Sequence, residues 1–379
     1  MPGGKHLTLA LRDQRGAALV ISTSGVFVVL AAVALAVDVG MMLSAKAEAQ
    51  RVADLSALAG AGHFALNDNS AAGEAVAIAY AADNLIRKQP AEVLPMDVFI
   101  DVPNEQVTVS VHRTAARGNP VSTAFARIFG VPAVDVVADA TAEIVSTSGV
   151  LNCILPIAIA DQWQENGGDP DLYDDPPDVY VPWDPDNPAA PYTGYSDSSI
   201  GDTIVLRPFG GGPGEINESW YYAWRPPGQH GAADHRENIW GCVDPTIEYS
   251  IGMSVNTEPG NMIGPTRQGF DKLVGLDANA IWNTNPGMSC VTDASLAGSN
   301  DPLDCRGSVR IKPTPLFNPG QPPGNGAKPF VLTNFAGIFV LGITGNEVTG
   351  IFVGYTGVGP GGVDAGVGNT LLKKLRLIE

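Results

Sequence analysis

The longest apolar segment of the chain lies close to its N-terminus. Residues 16–37 read GAALVISTSGVFVVLAAVALAV and contain no charged side chain. An α-helix rises about 1.5 Å per residue, so this segment would extend about 33 Å, close to the roughly 30 Å hydrocarbon core of a bilayer. The pattern therefore predicts a transmembrane helix over residues 16–37.

Charged residues flank this segment unequally. Lys5, Arg12 and Arg15 precede it together with one acidic residue, Asp13, whereas the first charge after it is Asp38. The positively charged flank of a membrane helix stays in the cytoplasm. We therefore expect a single-pass protein of the cytoplasmic membrane, with residues 1–15 inside and the bulk of the chain periplasmic or extracellular.

A cleavable signal peptide is the alternative interpretation of the same segment. Ala34-Leu35-Ala36 resembles an A-x-A cleavage site. However, the apolar part of a signal peptide usually spans about 7–15 residues, which is shorter than this run, and the helical pattern continues past the site without a break. We favour an anchor that stays in the mature protein.

The helical pattern continues well beyond the apolar segment. Small residues with spaced charges follow as far as about Gly62, which predicts one long helix that leaves the membrane, and small side chains permit close approach of another helix. A second helix is predicted with Ser70 as its cap and Glu74 in its first turn. It should end before Pro90.

The following segment alternates between apolar and polar positions. Val98–Val102 and Val107–Val111 alternate on either side of Pro103-Asn104-Glu105, which predicts a β-hairpin. Pro120–Phe129 has the pattern of a short amphipathic helix, and Val134–Val145 alternates as a third strand. A long helix followed by a small sheet is the architecture of pilins.

The character of the chain changes after about residue 148. Pro, Gly, Asp and Trp become frequent, and the closing third alternates as strands, with a hairpin turn at Gly345-Asn346. We predict an α+β protein with a pilin-like α+β domain over residues 38–148 and a β-rich, Pro/Gly-rich outer domain over residues 149–379. The predicted outer strands are Val309–Lys312, Gly337–Ile343, Val348–Gly354 and Leu375–Ile378.

Charge makes nucleic acid a poor partner for this chain. The formal net charge is −18, and between Ile128 and Leu206 there are 14 Asp or Glu residues but no Lys or Arg. Such a surface repels a phosphate backbone.

The segment from Arg15 to Ala61 resembles the TadG-like N-terminal region of tight-adherence (Flp) pilus-assembly proteins. It carries an Arg-Gly before the anchor, an Asp-x-Gly at Asp38-Val39-Gly40, and an Ala-rich segment ending in Ala57-Leu58-Ala59-Gly60-Ala61. Later segments also resemble TadG-related ectodomains. They are Cys153–Pro156 with Trp163, Trp220–Tyr222 to Cys242, Thr257–Gly269 and Val331–Asn346.

This resemblance implies a membrane-anchored structural or assembly component of a tight-adherence pilus or a related surface apparatus. Its partners would be other pilus-assembly or envelope proteins, together with the bilayer around residues 16–37. It would act by protein–protein packing, without catalysis, a cofactor or a small-molecule substrate. Asp197-Ser198-Ser199 departs from the Asp-x-Ser-x-Ser metal motif of some family members, so no metal site is carried over. Ile21 stands where a processed prepilin has Glu, counting from Ala17, which argues against prepilin-type cleavage.

The chain has four cysteines, Cys153, Cys242, Cys290 and Cys305, without C-x-x-C spacing. An even number in an exported region favours disulfides, of which three pairings are possible. We prefer Cys290–Cys305, which would close a polar, turn-rich stretch, and therefore Cys153–Cys242, whose members lie in segments that resemble the family's ectodomain. Buried reduced thiols are the alternative.

Three groups of residues could bind a ligand, which would make the chain a membrane-anchored adhesin or a carbohydrate- or calcium-binding surface protein. Carboxylates crowd one Pro-rich stretch, but they lack the order of a calcium loop. His230, Asp234, His235 and Glu237 are metal-ligating types in a Gly-rich segment, and the aromatic run Trp220–Trp224 could stack on sugars, although alternate burial in a strand is favoured. We assign no metal site. The crowded carboxylates are those of Asp169, Asp171, Asp174, Asp175, Asp178, Asp184 and Asp186.

Overall fold

A computed structural model of the chain describes residues 15–67, 69–151, 153–167, 172–174, 176–208, 216–242, 246–260, 262–285, 289–324, 326–356 and 370–378. The helices are α1 (Arg15–Asn67), α2 (Ser70–Ala82), α3 (Gly231–Trp240) and α4 (Ile263–Leu276). The strands of the two larger sheets are β1 (Val98–Asp101), β2 (Gln106–Arg113), β3 (Val136–Ser146), β4 (Ile157–Ala160), β5 (Thr203–Pro208), β6 (Trp220–Arg225), β7 (Ser254–Thr257), β8 (Ile311–Phe317), β9 (Pro329–Thr344), β10 (Glu347–Val353), β11 (Tyr355–Thr356) and β12 (Leu372–Ile378). The protein is α+β, as the sequence predicts.

The long N-terminal helix has two halves with opposite exposure. From Leu19 to Val37 its large apolar side chains are exposed; Phe27, for example, is 68% exposed. Beyond the apolar segment, small side chains at helical spacing are fully buried. The single long helix is confirmed, and it ends at Asn67 rather than near Gly62. The buried small residues are Ala45, Ala49, Ala53, Ala57 and Ala61.

The second helix begins where the sequence predicts, but its cap is a different residue. Asn69 is the N-cap, and its Oδ1 accepts a hydrogen bond from the backbone N of Ala72 at 3.0 Å. Ser70 is instead the first helical residue. Asn caps a helix at least as well as Ser, so the polar side chain one position earlier takes the role. The helix ends at Ala82, well before Pro90.

The first sheet contains five strands in the order β11-β12-β3-β2-β1. The predicted hairpin is present as β1 and β2, with Val98 opposite Val109. The whole of β2 also pairs with β3, from Gln106 opposite Glu143 to Arg113 opposite Val136. Val107, Val109 and Val111 are fully buried against α1, which lies across β2 and β3. This helix-on-sheet layer forms the first hydrophobic core.

The predicted amphipathic helix over Pro120–Phe129 is wrong. Val121–Ser122 pairs instead with Ala133–Val134, and only Ala126–Phe129 forms a 3₁₀ turn between them. The segment is short and bounded by Pro120 and Gly130, so a helix there would gain little from its own hydrogen bonds. Its backbone N–H groups bind a carboxylate from α1, as described below.

The second sheet closes on itself. The strand pairings link β8 to β9, β9 to β10, β10 to β5, β5 to β6, β6 to β4, and β4 back to β8. The short strand β7 joins β6 to β9. Three of the predicted outer strands lie in this sheet with changed bounds: β8 begins at Ile311 rather than Val309, β9 is longer than Gly337–Ile343, and β10 ends at Val353 rather than Gly354. The hairpin turn at Gly345 joins β9 to β10.

The last strand returns to the first sheet. β12 pairs antiparallel with β3, with Lys373 opposite Ser146 and Ile378 opposite Thr141. The prediction that Leu375–Ile378 is a strand is confirmed, and the strand begins at Leu372. The two parts of the protein are therefore interleaved, because this strand follows the outer strands in sequence but pairs beside α1.

Two helices in the outer part were not predicted from the sequence. α3 and α4 pack together where Gly269 of α4 faces Ile239 of α3; a Cβ on Gly269 would come within 2.7 Å of the Ile239 side chain. Phe270 and Leu273 are fully buried beside them. The segment from His230 to Glu237, which the sequence suggests is a Gly-rich loop, is therefore mostly helical, because α3 begins at Gly231.

The structure joins Cys153 to Cys242 and Cys290 to Cys305. These are the two pairs that the sequence analysis prefers. Cys290 begins a short strand, Cys290–Asp293, that pairs with Ala280–Asn283. The second disulfide therefore ties the polar segment up to Cys305 back to this hairpin.

Candidate assembly site and membrane exit

The exposed half of α1 is the first component of the candidate site. Within the described residues, one helix is long and apolar enough to cross a membrane, over Leu19–Leu66. A Cβ on Gly25 or Gly40 would meet no atom within 4 Å. Among the described residues, nothing packs on these apolar side chains or on the two glycines, which leaves this half of the helix open to lipid or to another helix.

In the second half of α1, Gly60 is packed tightly against α2. A Cβ on Gly60 would lie 2.9 Å from the carbonyl oxygen of Gly73 and 3.0 Å from Cβ of Ala77, both on α2. A Cβ on Gly73 would likewise lie 3.0 Å from the Gly60 carbonyl oxygen. The two helices thus approach closely at this pair, and α2 packs directly on the second half of α1.

Asp38 marks the point where the apolar segment meets the folded part. Its carboxylate accepts hydrogen bonds from three consecutive backbone N–H groups of the loop after β2, at 2.7 Å from Ala124, 3.0 Å from Phe125 and 2.5 Å from Ala126. The Asp38 side chain is only 8% exposed. Such charge-assisted bonds are stronger than neutral ones, so this loop is fixed to the first turn after the span.

A buried ion cluster joins the first sheet to the outer part. Nζ of Lys373, on β12, lies 3.1 Å from Oε1 of Glu105 in the β1–β2 turn and 2.8 Å from Oδ2 of Asp197 in the outer part. The Lys373 side chain is 2% exposed. The cluster lines a cavity of about 300 Å³ together with Phe64 of α1. Because these groups come from distant parts of the sequence, no spacing pattern could have predicted them.

A second buried acid lies within the outer part. Asp161 has no exposed surface, and its carboxylate accepts hydrogen bonds from the backbone N of Gln162 and Tyr195 and from the hydroxyl of Tyr180. Burial raises the pKa of Asp161 to about 6, and the three hydrogen bonds limit the rise. A Cβ on Gly194 would lie 2.5 Å from Oδ2, so glycine is needed beside this acid. The arrangement fixes the segments around Tyr180 and Tyr195 to the end of β4.

The aromatic run lies in β6 and is mostly buried. Tyr221, Tyr222 and Trp224 are 3%, 7% and 0% exposed, and Nε1 of Trp224 donates to the Leu155 carbonyl oxygen at 2.9 Å. Trp220 alone is half-buried. Two consecutive tyrosines are buried because the strand has core on both faces, so burial in a strand is correct but strict alternation is not. These rings do not form an exposed stacking face.

The His-rich segment does not bring its side chains together. His235 is buried and its Nε2 lies 2.8 Å from Oγ1 of Thr266, whereas His230 and Glu237 are exposed. Asp234 accepts a hydrogen bond from the backbone N of His230 and so begins α3. Burial lowers the pKa of His235 to about 4, which keeps the ring neutral. No cluster of three or more metal-ligating side chains occurs among the described residues.

The Asp-rich stretch is only partly described. Asp169, Asp171 and Asp175 lie outside the described residues. Asp178 is buried, and its carboxylate accepts from the backbone N of Asn166 and of Asp174 at 3.0 and 2.9 Å. Asp178 thus closes a turn within its own loop, a role that composition alone could not distinguish from metal binding.

Comparison with known proteins identifies the N-terminal segment. Residues 16–63 match the family model Tad, described as "Putative Flp pilus-assembly TadE/G-like". Neither a comparison with curated proteins nor one with solved structures found a match. The matched segment covers the exposed half of α1, Asp38 and all five of the buried alanines from Ala45 to Ala61. Residues 16–63 are therefore similar to the TadE/G-like family of Flp pilus-assembly proteins, and this similarity supports a role related to pilus assembly.

Proposed function

We propose that this chain is a membrane-anchored structural component of a tight-adherence pilus or a related surface apparatus. Residues 16–37 span the cytoplasmic membrane, residues 1–15 lie in the cytoplasm, and residues 38–379 are outside it. The observation that supports this most strongly is α1, a single helix that is exposed and apolar over its first half and buried in its own domain over its second. It lies within the segment that matches the pilus-assembly family.

The continuity of α1 gives the proposal a mechanism. A partner helix that packs on the exposed half would displace no packing contact among the described residues, since a Cβ on Gly25 or Gly40 would meet no atom of them within 4 Å. The buried half carries the sheet, and Lys373 ties that sheet to the outer part. A contact made in the membrane would therefore fix the orientation of the whole exported part. The chain acts by packing and recognition, and no bond chemistry is needed.

Binding of sugar or calcium by the outer part is the second candidate. The burial of Tyr221, Tyr222 and Trp224 removes the aromatic face on which sugar stacking would depend. The buried carboxylate of Asp178 already accepts two backbone hydrogen bonds. We therefore favour assembly over ligand binding.

Photo-crosslinking in the native cell tests the proposal. A photoreactive amino acid at Val29, which is 61% exposed in the span, should yield adducts with other Flp pilus-assembly proteins, identified by mass spectrometry. The matched control is Leu276 at the end of α4, which is 52% exposed and lies far from the span in sequence. Adducts with such proteins from neither position, or equally from both, would contradict assembly through the span.

A further inference from the structure

The loop between Val121 and Val134 presents apolar side chains to the outside. Ile128 and Phe129 are 74% and 77% exposed, and Phe125 and Val131 are 42% and 45% exposed. Four large apolar side chains within seven residues form a concentrated patch, of a kind that marks an interaction surface. No other part of the described chain covers these four side chains.

This loop lies at the membrane exit of α1. The three hydrogen bonds to the Asp38 carboxylate attach Ala124, Phe125 and Ala126 directly to the turn that follows residue 37. The exposed apolar surface of α1 continues past this point, because Val39, Met42 and Leu43 are 40%, 37% and 62% exposed. Leu43 lies about 7 Å beyond Asp38 along the helix. The loop therefore lies at a level where α1 itself still exposes apolar side chains.

The charge of the loop also suits a lipid surface. Arg127 is the only charged residue between Val121 and Val134, although the chain as a whole is strongly acidic. Asp135, which follows the loop, accepts a hydrogen bond from the backbone N of Ala115 at 2.7 Å. Arginine beside exposed aromatic and aliphatic side chains is the composition of segments that lie at the interface of anionic bilayers.

We propose that the loop Val121–Val134 is a second membrane contact, in which Ile128 and Phe129 enter the interfacial region of the bilayer beside α1 and Arg127 faces lipid phosphate. A single helix can tilt and rotate about its axis. A second contact, fixed to Asp38, would restrict both motions and set the angle at which the exported part stands on the membrane.

Tryptophan quenching by brominated lipid tests this inference. The full chain would be reconstituted in phosphatidylcholine–phosphatidylglycerol vesicles with bromine near the headgroup end of the acyl chains. The variant Phe129→Trp should show at least about twofold more quenching of its added emission than a control. The six native tryptophans lie between Trp163 and Trp282 and provide the background to be subtracted.

The matched control is Phe99→Trp. Phe99 is 65% exposed on the edge strand β1. Its distance from the membrane exit can be estimated across the sheet, because Phe99 lies opposite Thr108 and Thr108 lies opposite Thr141. Gln50 of α1 donates to the carbonyl oxygen of Asp139, two residues before Thr141, so Phe99 lies about 18 Å or more beyond Asp38.

Equal quenching of the two variants would overturn the inference. Blue-shifted emission from Phe129→Trp without lipid quenching would also overturn it, and would indicate a protein partner or a second copy on the patch. Far-ultraviolet circular dichroism and a melting temperature that match those of the unmodified chain would show that each variant is folded. This test is independent of the crosslinking test, because it needs no pilus protein.

Discussion

Nζ of Lys373 lies 2.8 Å from Oδ2 of Asp197, so the strand that completes the first sheet is bonded to the outer part of the protein. The same ammonium also donates a hydrogen bond to Glu105, which lies in the turn between β1 and β2, the first two strands of that sheet. The lysine is almost fully buried, and the two carboxylates that compensate its charge come one from each part. The two parts therefore depend on each other for stability.

Replacement of this lysine should be strongly destabilising. Lys373→Met leaves two partly buried carboxylates without their cation, and removing one partner of a buried ion pair costs about 3–5 kcal/mol. Urea unfolding of the full chain in detergent would measure the loss. The control is Arg207→Met, which breaks an exposed pair with Glu347 and should cost less than about 1 kcal/mol. Equal losses would contradict the linking role of Lys373.

The crossing of α1 and α2 predicts opposite effects for two identical substitutions. Gly60→Ala places a methyl group against the Gly73 carbonyl and Ala77, so α2 must shift, at a cost of about 1–3 kcal/mol. Gly40→Ala meets no atom within 4 Å and should be neutral or stabilising by up to about 1 kcal/mol, because alanine favours helix. Thermal unfolding followed by circular dichroism compares them. Similar melting temperatures for the two variants would show that the helices do not cross closely at Gly60.

The sequence predicts α1 and most of the strands, because the spacing of apolar residues within each of these segments is enough to indicate a helix or a strand. The exposed and buried halves of α1 follow from apolar and Ala-rich segments, and the β1–β2 and β9–β10 hairpins follow from their turns. The role of Asp38 was missed because its partners, Ala124 to Ala126, donate through backbone groups 86 to 88 positions away. Backbone donors leave no signal in side-chain pattern.

Long-range pairing also explains the other differences. The pairing of β12 with β3 in the first sheet could not be predicted, because the pattern of Leu375–Ile378 indicates a strand but does not indicate which strand it pairs with. α3 and α4 were missed because Gly and Pro within them or just before them resemble a loop. In the structure, the two helices pack closely where Gly269 faces Ile239. Asp161 is a lone acid at the end of an apolar strand. Its burial depends on Tyr180 and Tyr195, which the sequence separates from it widely.

The buried Asp161 predicts a dependence of stability on pH. Its pKa is raised in the folded protein to about 6 from an ordinary value near 4, so between these values the folded state holds a proton that the unfolded state has released. Its contribution to stability is therefore present at low pH and is lost as pH rises from about 4 to 6. The loss should be up to about 3 kcal/mol.

The variant Asp161→Asn isolates this contribution. The amide oxygen can still accept from Gln162 and Tyr195, while its nitrogen faces the Tyr180 hydroxyl. Urea unfolding from pH 4 to 7 should show the unmodified chain losing stability relative to the variant as pH rises. Parallel curves for the two proteins would contradict a raised pKa.

The disulfides predict a specific peptide map. Partial reduction, alkylation and digestion should yield Cys153 linked to Cys242 and Cys290 linked to Cys305. The bond between Cys290 and Cys305 closes a loop with a sequence separation of 15, so Cys290→Ser with Cys305→Ser should destabilise the chain by about 3 kcal/mol. Cross-linked peptides from any other pairing, or free thiols in exported protein, would contradict the fold around the hairpin at Cys290.

The proposed function requires that α1 stays in the membrane as part of the mature chain. The direct measurement is mass spectrometry of the N-terminal peptides of the native protein, recovered from membranes washed in alkaline carbonate. We predict that the protein stays with the washed membranes and retains residues 16–37 intact, including Ala34-Leu35-Ala36. A mature N-terminus at Val37, with the protein released by the wash, would contradict it.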